Sequence, residues 1–129
     1  MENDAFSIRS LTIDPEVSEL GGPVRILMDF ISPHDLNNAI WRVYYQVDTI
    51  RKRKKFEVCT LSPMNFTSGL NTLEICVPSI EVESASSVTA GVLLLALTHN
   101  TEELLGINMI VQVIQKEGRL FKTIFSPLE

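Results

Sequence analysis

The sequence has few of the residues that mark several large classes of protein. Among its 129 residues there are only two cysteines, Cys59 and Cys76, too few for a disulfide framework. The one long apolar run, residues 88–97, is about half of the roughly 20 residues that a transmembrane helix needs. No charged-then-apolar leader precedes Phe6, so we expect neither a signal peptide nor a membrane span. The cysteines are then predicted to be free thiols in a reducing, intracellular compartment, the nucleus or the cytoplasm.

Motifs of catalysis and cofactor binding are also missing. The sequence has no glycine-rich phosphate loop and no nucleophile elbow. Its two histidines, His34 and His99, are not paired with the cysteines at a spacing typical of metal sites. We therefore predict a protein without enzymatic activity, metal, cofactor or small-molecule substrate.

The charge balance argues against a nucleic-acid-binding protein. The formal net charge is −5, which gives no general attraction to nucleic acid, and we expect no direct nucleic-acid binding. Hydrophobic residues make up 45% of the chain and charged residues 21%, a composition typical of folded proteins. We assign residues 1–129 to a single domain.

What the sequence does contain is a series of short strand patterns. Apolar and polar residues alternate in about eight segments, and none of them has the period of a helix. The first segment, residues 6–13, changes parity once, which predicts a β-bulge. Segments 14–23 and 63–69 are rich in turn residues and are predicted loops. We predict an all-β fold, an immunoglobulin-like antiparallel β-sandwich of about eight strands, with a closed barrel as the alternative.

The uncharged run at residues 88–97 is the strongest single pattern. It does not separate a polar side from an apolar side, so it predicts a central strand that is buried on both faces. A turn at residues 100–102 follows, and then a strand of similar length. We predict that the two strands form a hairpin.

Two sets of residues are candidates for binding a protein partner. Apolar residues on strands would form a partner surface if no second sheet covers them, and are otherwise core; they are Leu27, Tyr44, Leu93, Leu95 and Ile110. The second set is a run of five positive charges, predicted to lie in a hairpin tip or loop, which could bind an acidic partner or an import receptor. Equally, it could be a solvated tip that protects a sheet edge. Its members are Arg51, Lys52, Arg53, Lys54 and Lys55.

Several segments together resemble the anti-silencing function 1 family of histone H3–H4 chaperones, which are immunoglobulin-like sandwiches. They are residues 11–15 (LTIDP), 40–45 (IWRVYY), 90–98 (AGVLLLALT), 104–113 and 119–125. In that family a helix of histone H3 packs on an apolar and acidic sheet face, and the tail of histone H4 adds a strand to the edge of the last strand. The resemblance implies that Leu94 makes the apolar contact. It also implies strand addition at the last strand, which carries Arg119, Phe121 and Lys122.

The charges around these positions differ from the family pattern. The basic run occupies the family's acidic positions after the third strand, Val88 replaces an acid before the central strand, and Gly106 replaces a basic residue in the following strand. A surface of reversed sign loses the attraction to basic histones.

We therefore predict a non-enzymatic protein-binding module that holds its partner by a sheet face and a strand edge. Histone H3–H4 is the partner that the resemblance implies. The alternative is a structural adaptor subunit of a ciliary, cytoskeletal or transport assembly that does not bind histones. In the adaptor, the basic run pairs with acidic segments of the partner, and the reversed charge favours this alternative.

Overall fold

Ten β-strands account for the regular secondary structure of the residues that the computed structural model describes, 6–48, 53–78 and 90–127. None of these residues belongs to a helix long and apolar enough to cross a membrane. The strands are β1 (Ser7–Asp14), β2 (Val17–Glu19), β3 (Val24–Ser32), β4 (Leu36–Asp48), β5 (Arg53–Thr60), β6 (Met64–Phe66), β7 (Gly69–Val77), β8 (Ala90–His99), β9 (Glu102–Lys116) and β10 (Arg119–Ile124).

The strands form two antiparallel sheets. One has three strands in the order β1-β3-β7, and the other has the order β2-β10-β9-β8-β4-β5, with β6 paired to the start of β4 as a seventh strand. The predicted all-β antiparallel sandwich is thus confirmed. The predicted number of strands was too low, because β2 and β6 lie in segments predicted as loops. Three residues are too few for an alternation to be recognised.

The core lies between the two sheets. Strand β3 alternates strictly, with Val24, Ile26, Met28 and Phe30 buried. The ring of Phe30 meets the large sheet edge-on, with its centroid 5.7 Å from that of Trp41 and 5.2 Å from that of Phe66. One cluster of buried apolar residues therefore joins both sheets.

Strand β8 lies between β4 and β9 within the large sheet, as a central strand should. Its residues Leu93, Leu95 and Leu97 are fully buried against the small sheet. The prediction that both faces are buried is wrong for the opposite face, where Val92 and Leu94 are only half-buried. Val88, at the start of the predicted strand, lies outside the described residues.

Two local predictions are confirmed. The pairing of β1 with β3 shifts register between Ile8 and Ser10, which is the predicted bulge. Strand β8 pairs along its whole length with β9 as a hairpin, from His99 opposite Glu102 to Ala90 opposite Gln112. Its two turn residues, Asn100 and Thr101, both have positive φ, as a type I′ turn requires.

A close approach of backbone and ring fixes one position of β8. Gly91 is buried beside Tyr45 of β4, and a Cβ atom at Gly91 would lie 2.4 Å from the Tyr45 hydroxyl oxygen and 2.9 Å from the carbonyl oxygen of Gln46. The Tyr45 ring therefore occupies the space that a side chain would need. Burial raises the pKa of the Tyr45 hydroxyl.

We expect Gly91→Ala to destabilise the protein by about 1–3 kcal/mol, because the added methyl group forces the Tyr45 ring or the backbone of β4 to move. Urea denaturation gives the change in the free energy of unfolding. Gly21→Ala is the matched control, since a Cβ atom there has nothing within 4 Å. Equal effects of the two substitutions would contradict the steric explanation.

Candidate functional site: the outer face of the large sheet

The outer face of the seven-stranded sheet carries apolar side chains that the sandwich does not cover. Because side chains alternate along a strand, the residues between the core positions point away from the small sheet. Ile110 of β9 is 62% exposed and Ile114 is 44% exposed. Phe125, directly after β10, is 47% exposed, and its amide donates a hydrogen bond to the carbonyl of Ile110.

The strand register joins these side chains into rows across the sheet. One row runs Glu57, Tyr44, Leu94, Asn108 over β5, β4, β8 and β9, and a parallel row runs Lys55, Gln46, Val92, Ile110. Phe121 of β10 pairs with Ile114. We call this surface the apolar face and define it by Tyr44, Val92, Leu94, Ile110, Ile114, Phe121 and Phe125.

The outer face of the three-stranded sheet is built differently. The Asp29 carboxylate accepts hydrogen bonds from the hydroxyls of Ser10, at 2.9 Å, and Thr72, at 2.8 Å. Arg25 pairs with Asp14 at 3.2 Å and lies 3.8 Å from Glu74. Polar groups on this face thus satisfy one another across all three strands. The apolar character of the large sheet's outer face is therefore not shared by the other side of the sandwich.

Two predicted partner-binding residues, Tyr44 and Leu94, are neighbours on the apolar face. Both are half-buried. The ammonium of Lys55 lies 4.6 Å from the centroid of the Tyr44 ring, a cation–π distance that attaches the basic run to this face. The structure therefore brings together three residues that the sequence analysis predicts separately to bind a partner, Tyr44, Leu94 and Lys55.

The basic run is only partly a loop. Arg53, Lys54 and Lys55 belong to strand β5, so the prediction of a loop or hairpin tip is wrong for these three positions. Strand pairing with β4 continues through them, from Arg53 opposite Asp48 to Lys55 opposite Gln46. Arg51 and Lys52 lie outside the described residues.

The edge of the last strand, where a partner strand is predicted to add, is paired with β2. Strand β2 pairs with β10 from Glu19 opposite Phe121 to Val17 opposite Thr123. Beyond the paired residues, the amide of Leu20 donates to the carbonyl of Leu120 at 2.9 Å, and the amide of Ile124 donates to the carbonyl of Glu16 at 3.0 Å. The chain itself therefore occupies the edge that a partner strand would need.

Lys122, one of the predicted partner-binding residues, is a structural residue in this arrangement. Its side chain is 1% exposed. The ammonium donates to the carbonyl oxygens of Glu19 at 2.8 Å, Leu20 at 2.9 Å and Gly22 at 2.7 Å. Burial lowers the pKa of the Lys122 ammonium, whereas three carbonyl acceptors favour its charged form. Lys122 thus fixes the turn after β2 to β10.

The other two predicted residues of β10 remain at the surface. Arg119 is exposed and forms an ion pair with Glu19 of β2. Phe121 is half-buried and belongs to the apolar face.

Strand parity decides which apolar candidates are exposed. Leu93 and Leu95 are fully buried, so of the two roles open to them they have the core role, whereas Ile110 is exposed. Leu27 is 36% exposed on the outer face of the small sheet. Val92, Ile114 and Phe125 were missed. Strand alternation could have identified this face. Leu93 and Leu94 are consecutive and point to opposite sides of the sheet, so only one of them can face the small sheet.

Glutamates lie at two borders of the apolar face. A Cβ atom at Gly106 would lie 2.8 Å from Oε2 of Glu103, so this carboxylate reaches over the outer side of β9. Glu57 of β5 lies opposite Tyr44 and accepts a hydrogen bond from the Thr60 hydroxyl. The borders therefore carry both signs of charge, while the centre carries none.

Metal ligands and thiols add no further site in the described ranges 6–48, 53–78 and 90–127. No group of three or more His, Cys, Asp or Glu side chains there is arranged to hold a metal ion. Both cysteines are free; Cys76 is exposed and Cys59 is half-buried. Burial, with a smaller contribution from Glu57, raises the pKa of the Cys59 thiol.

Comparisons with models of known protein families and with curated proteins found no match to this chain. The resemblance to the histone chaperones therefore stays a prediction from the segments of sequence that carry it.

We expect Lys122→Met to destabilise the protein by about 1–3 kcal/mol, because three carbonyl groups lose the buried ammonium as their shared donor. Urea denaturation measures the loss. Lys116→Met, at an exposed position of β9, is the matched control and should change stability little. An unchanged or higher stability of Lys122→Met would mean that desolvation of the ammonium costs as much as its hydrogen bonds contribute.

Proposed function

We propose that the protein is a non-enzymatic protein-binding module that holds a partner on the apolar face. The observation that carries this proposal is the uncovered group of apolar side chains on one outer face, centred on Ile110. Contiguous exposed apolar surface is rare on proteins that act alone and is typical of interaction sites.

The contrast between the two outer faces supports the proposal. Leu70 of β7 is as exposed as Ile110, at 61%, but its face is dominated by the polar groups around Asp29 and Arg25. On the apolar face, Leu94 and Val92 are flanked by Tyr44 and Ile110 without an intervening charge. The polar residues paired with Leu94 and Val92, Asn108 and Gln46, are uncharged, so desolvating this region costs less than desolvating the ion-paired face of the small sheet.

The first candidate partner is histone H3–H4, as the family resemblance implies. Leu94, the position that carries the family's apolar contact, lies on the apolar face beside Tyr44. Glu57 and Glu103 border the face and offer carboxylates to a basic partner. A histone chaperone would act in the nucleus or the cytoplasm.

The second candidate is an adaptor subunit of a ciliary, cytoskeletal or transport assembly, whose partner carries acidic segments. The observation that favours it is Lys55, which is exposed beside Tyr44 at the border of the apolar face. With Arg53 and Lys54 in the same strand, this border favours an acidic partner over a basic one.

Titration of the purified protein with H3–H4 at physiological salt tests the first candidate. We expect binding at micromolar concentration, weakened at least about tenfold by Ile110→Asp, because a buried carboxylate on the apolar face would lack a partner. Leu70→Asp is the matched control, being equally exposed on the other sheet, and should leave the affinity unchanged.

Two outcomes would contradict these proposals. An absence of binding to H3–H4 at micromolar concentration would end the chaperone candidate. Equal weakening by Ile110→Asp and Leu70→Asp would end the assignment of the binding site to the apolar face. Thermal unfolding of both variants, compared with the wild type, shows whether each is folded under the conditions of the titration.

A further inference from the structure

The two edges of the large sheet are unlike. The edge at β10 is closed by β2, as described above. At the other end of the sheet, β5 pairs with β4 on one side, and no strand of the described residues pairs with its other side. An edge strand of this kind presents unpaired backbone amides and carbonyls to which another chain can add a strand.

Part of β5 has the regular geometry that strand addition requires. Its pairing with β4 shifts register next to Val58, between the pairs Val43–Cys59 and Tyr44–Glu57. From Arg53 to Glu57 the register is unbroken and no proline interrupts it. The regular part is therefore five residues long, and it coincides with the three basic positions of the strand.

The charge of this edge selects the sign of its partner. Lys55 is exposed, Arg53 and Lys54 precede it in the strand, and Arg51 and Lys52 precede these in the sequence. In a sheet, side chains directly opposite one another lie about 5 Å apart, and opposite charges there stabilise the pairing. A basic strand would be repelled at the same distance.

We propose that the open edge of β5 binds an extended acidic segment of a partner protein by strand addition. This inference rests on the second candidate function and adds to it the position and the mode of binding. Backbone hydrogen bonds along residues 53–57 supply affinity, and the basic positions select acidic side chains.

The open edges of the small sheet are less suited to this partner. Strand β7 bears Glu74 and no basic residue, whereas β5 bears one glutamate, Glu57, against three basic residues. Strand β1 bears Asp14, and its register with β3 shifts between Ile8 and Ser10. The Lys55 ammonium also adjoins the apolar face through Tyr44, so apolar residues following the acidic segment could continue onto that face.

The test uses two synthetic ten-residue peptides with the same number of glutamates. In one, glutamate alternates with valine; in the other, proline replaces each valine and so removes half of the backbone donors. We expect the glutamate–valine peptide to bind and to slow amide hydrogen exchange in β5, measured by NMR. The proline peptide should bind at least about tenfold more weakly, because proline at every second residue fixes φ at about −65° and favours polyproline II over the extended strand that pairing needs.

Substitution in the protein tests the role of charge. Lys55→Glu should weaken binding of the glutamate–valine peptide about fivefold, since it replaces an attraction with a repulsion at the edge. Lys116→Glu is the matched control, exposed at the far end of β9, and should have no effect. Circular dichroism of both variants checks that the sheets are retained.

Four outcomes would overturn the inference. The first is that neither peptide binds at millimolar concentration, and the second is that both bind equally. The third is that Lys55→Glu leaves the affinity for the glutamate–valine peptide unchanged. The fourth is that the β5 amides of the free wild-type protein are already protected from hydrogen exchange because two copies pair at this edge. Loss of peptide binding in Ile110→Asp, without loss in Lys55→Glu, would instead assign the peptide to the apolar face. Because the inference rests on the adaptor candidate, the two can fail separately: binding of neither peptide counts against an acidic partner, whereas peptide binding that Lys55→Glu leaves unchanged overturns only the position at β5.

Discussion

The packing of a narrow sheet against a wide one is the constraint on which the structure depends. Phe30 of the three-stranded sheet contacts the ring edges of Trp41 and Phe66, which anchors the two layers to each other. Three flat strands could not cover the inner side of seven, yet inner residues are buried across four neighbouring strands, from Val43 of β4, at 0% exposure, to Ile124 of β10, at 1%. The wide sheet must therefore curl around the narrow one. The inner side of the small sheet packs on the wide sheet, and no strand among the described residues lies on the outer side of the wide sheet.

The curled wide sheet still has two edges, and the two differ in structure. At one end, β2 adds only three residues, too few to hold by strand pairing alone, and the buried ammonium of Lys122 fixes the following turn through three carbonyl groups. At the other end, β5 is long and basic, and no strand of the described residues pairs with the side of β5 that faces away from β4. A closed edge reinforced by a buried cation and an open edge that bears the exposed Lys55 have opposite consequences for association.

The class of fold could be predicted from the sequence, because alternation with period two is a local property of each strand. The central position of β8 and its hairpin with β9 followed from the same pattern. The burial of Lys122 could not be predicted, since its three acceptors are about a hundred residues away in the sequence. The face of β8 that contacts the small sheet was also ambiguous: Leu93, Leu94 and Leu95 are alike in composition, and only the register with Trp41 and Tyr45 decides which are core.

Tyr44 and Lys55 connect the two proposed surfaces into one. The ammonium lies over the ring, so the positive border begins where the apolar face ends. Exposed charges at a border are screened by salt and contribute mainly to the rate of association, whereas desolvated apolar contacts at a centre slow dissociation. A partner that begins with an acidic segment and continues with apolar residues would be attracted at β5 and retained over Leu94 and Ile110. A histone segment is basic, so it would be repelled at β5, although its apolar residues could still pack over Leu94 and Ile110. The positive charge of Lys55 is therefore what separates the two candidate functions.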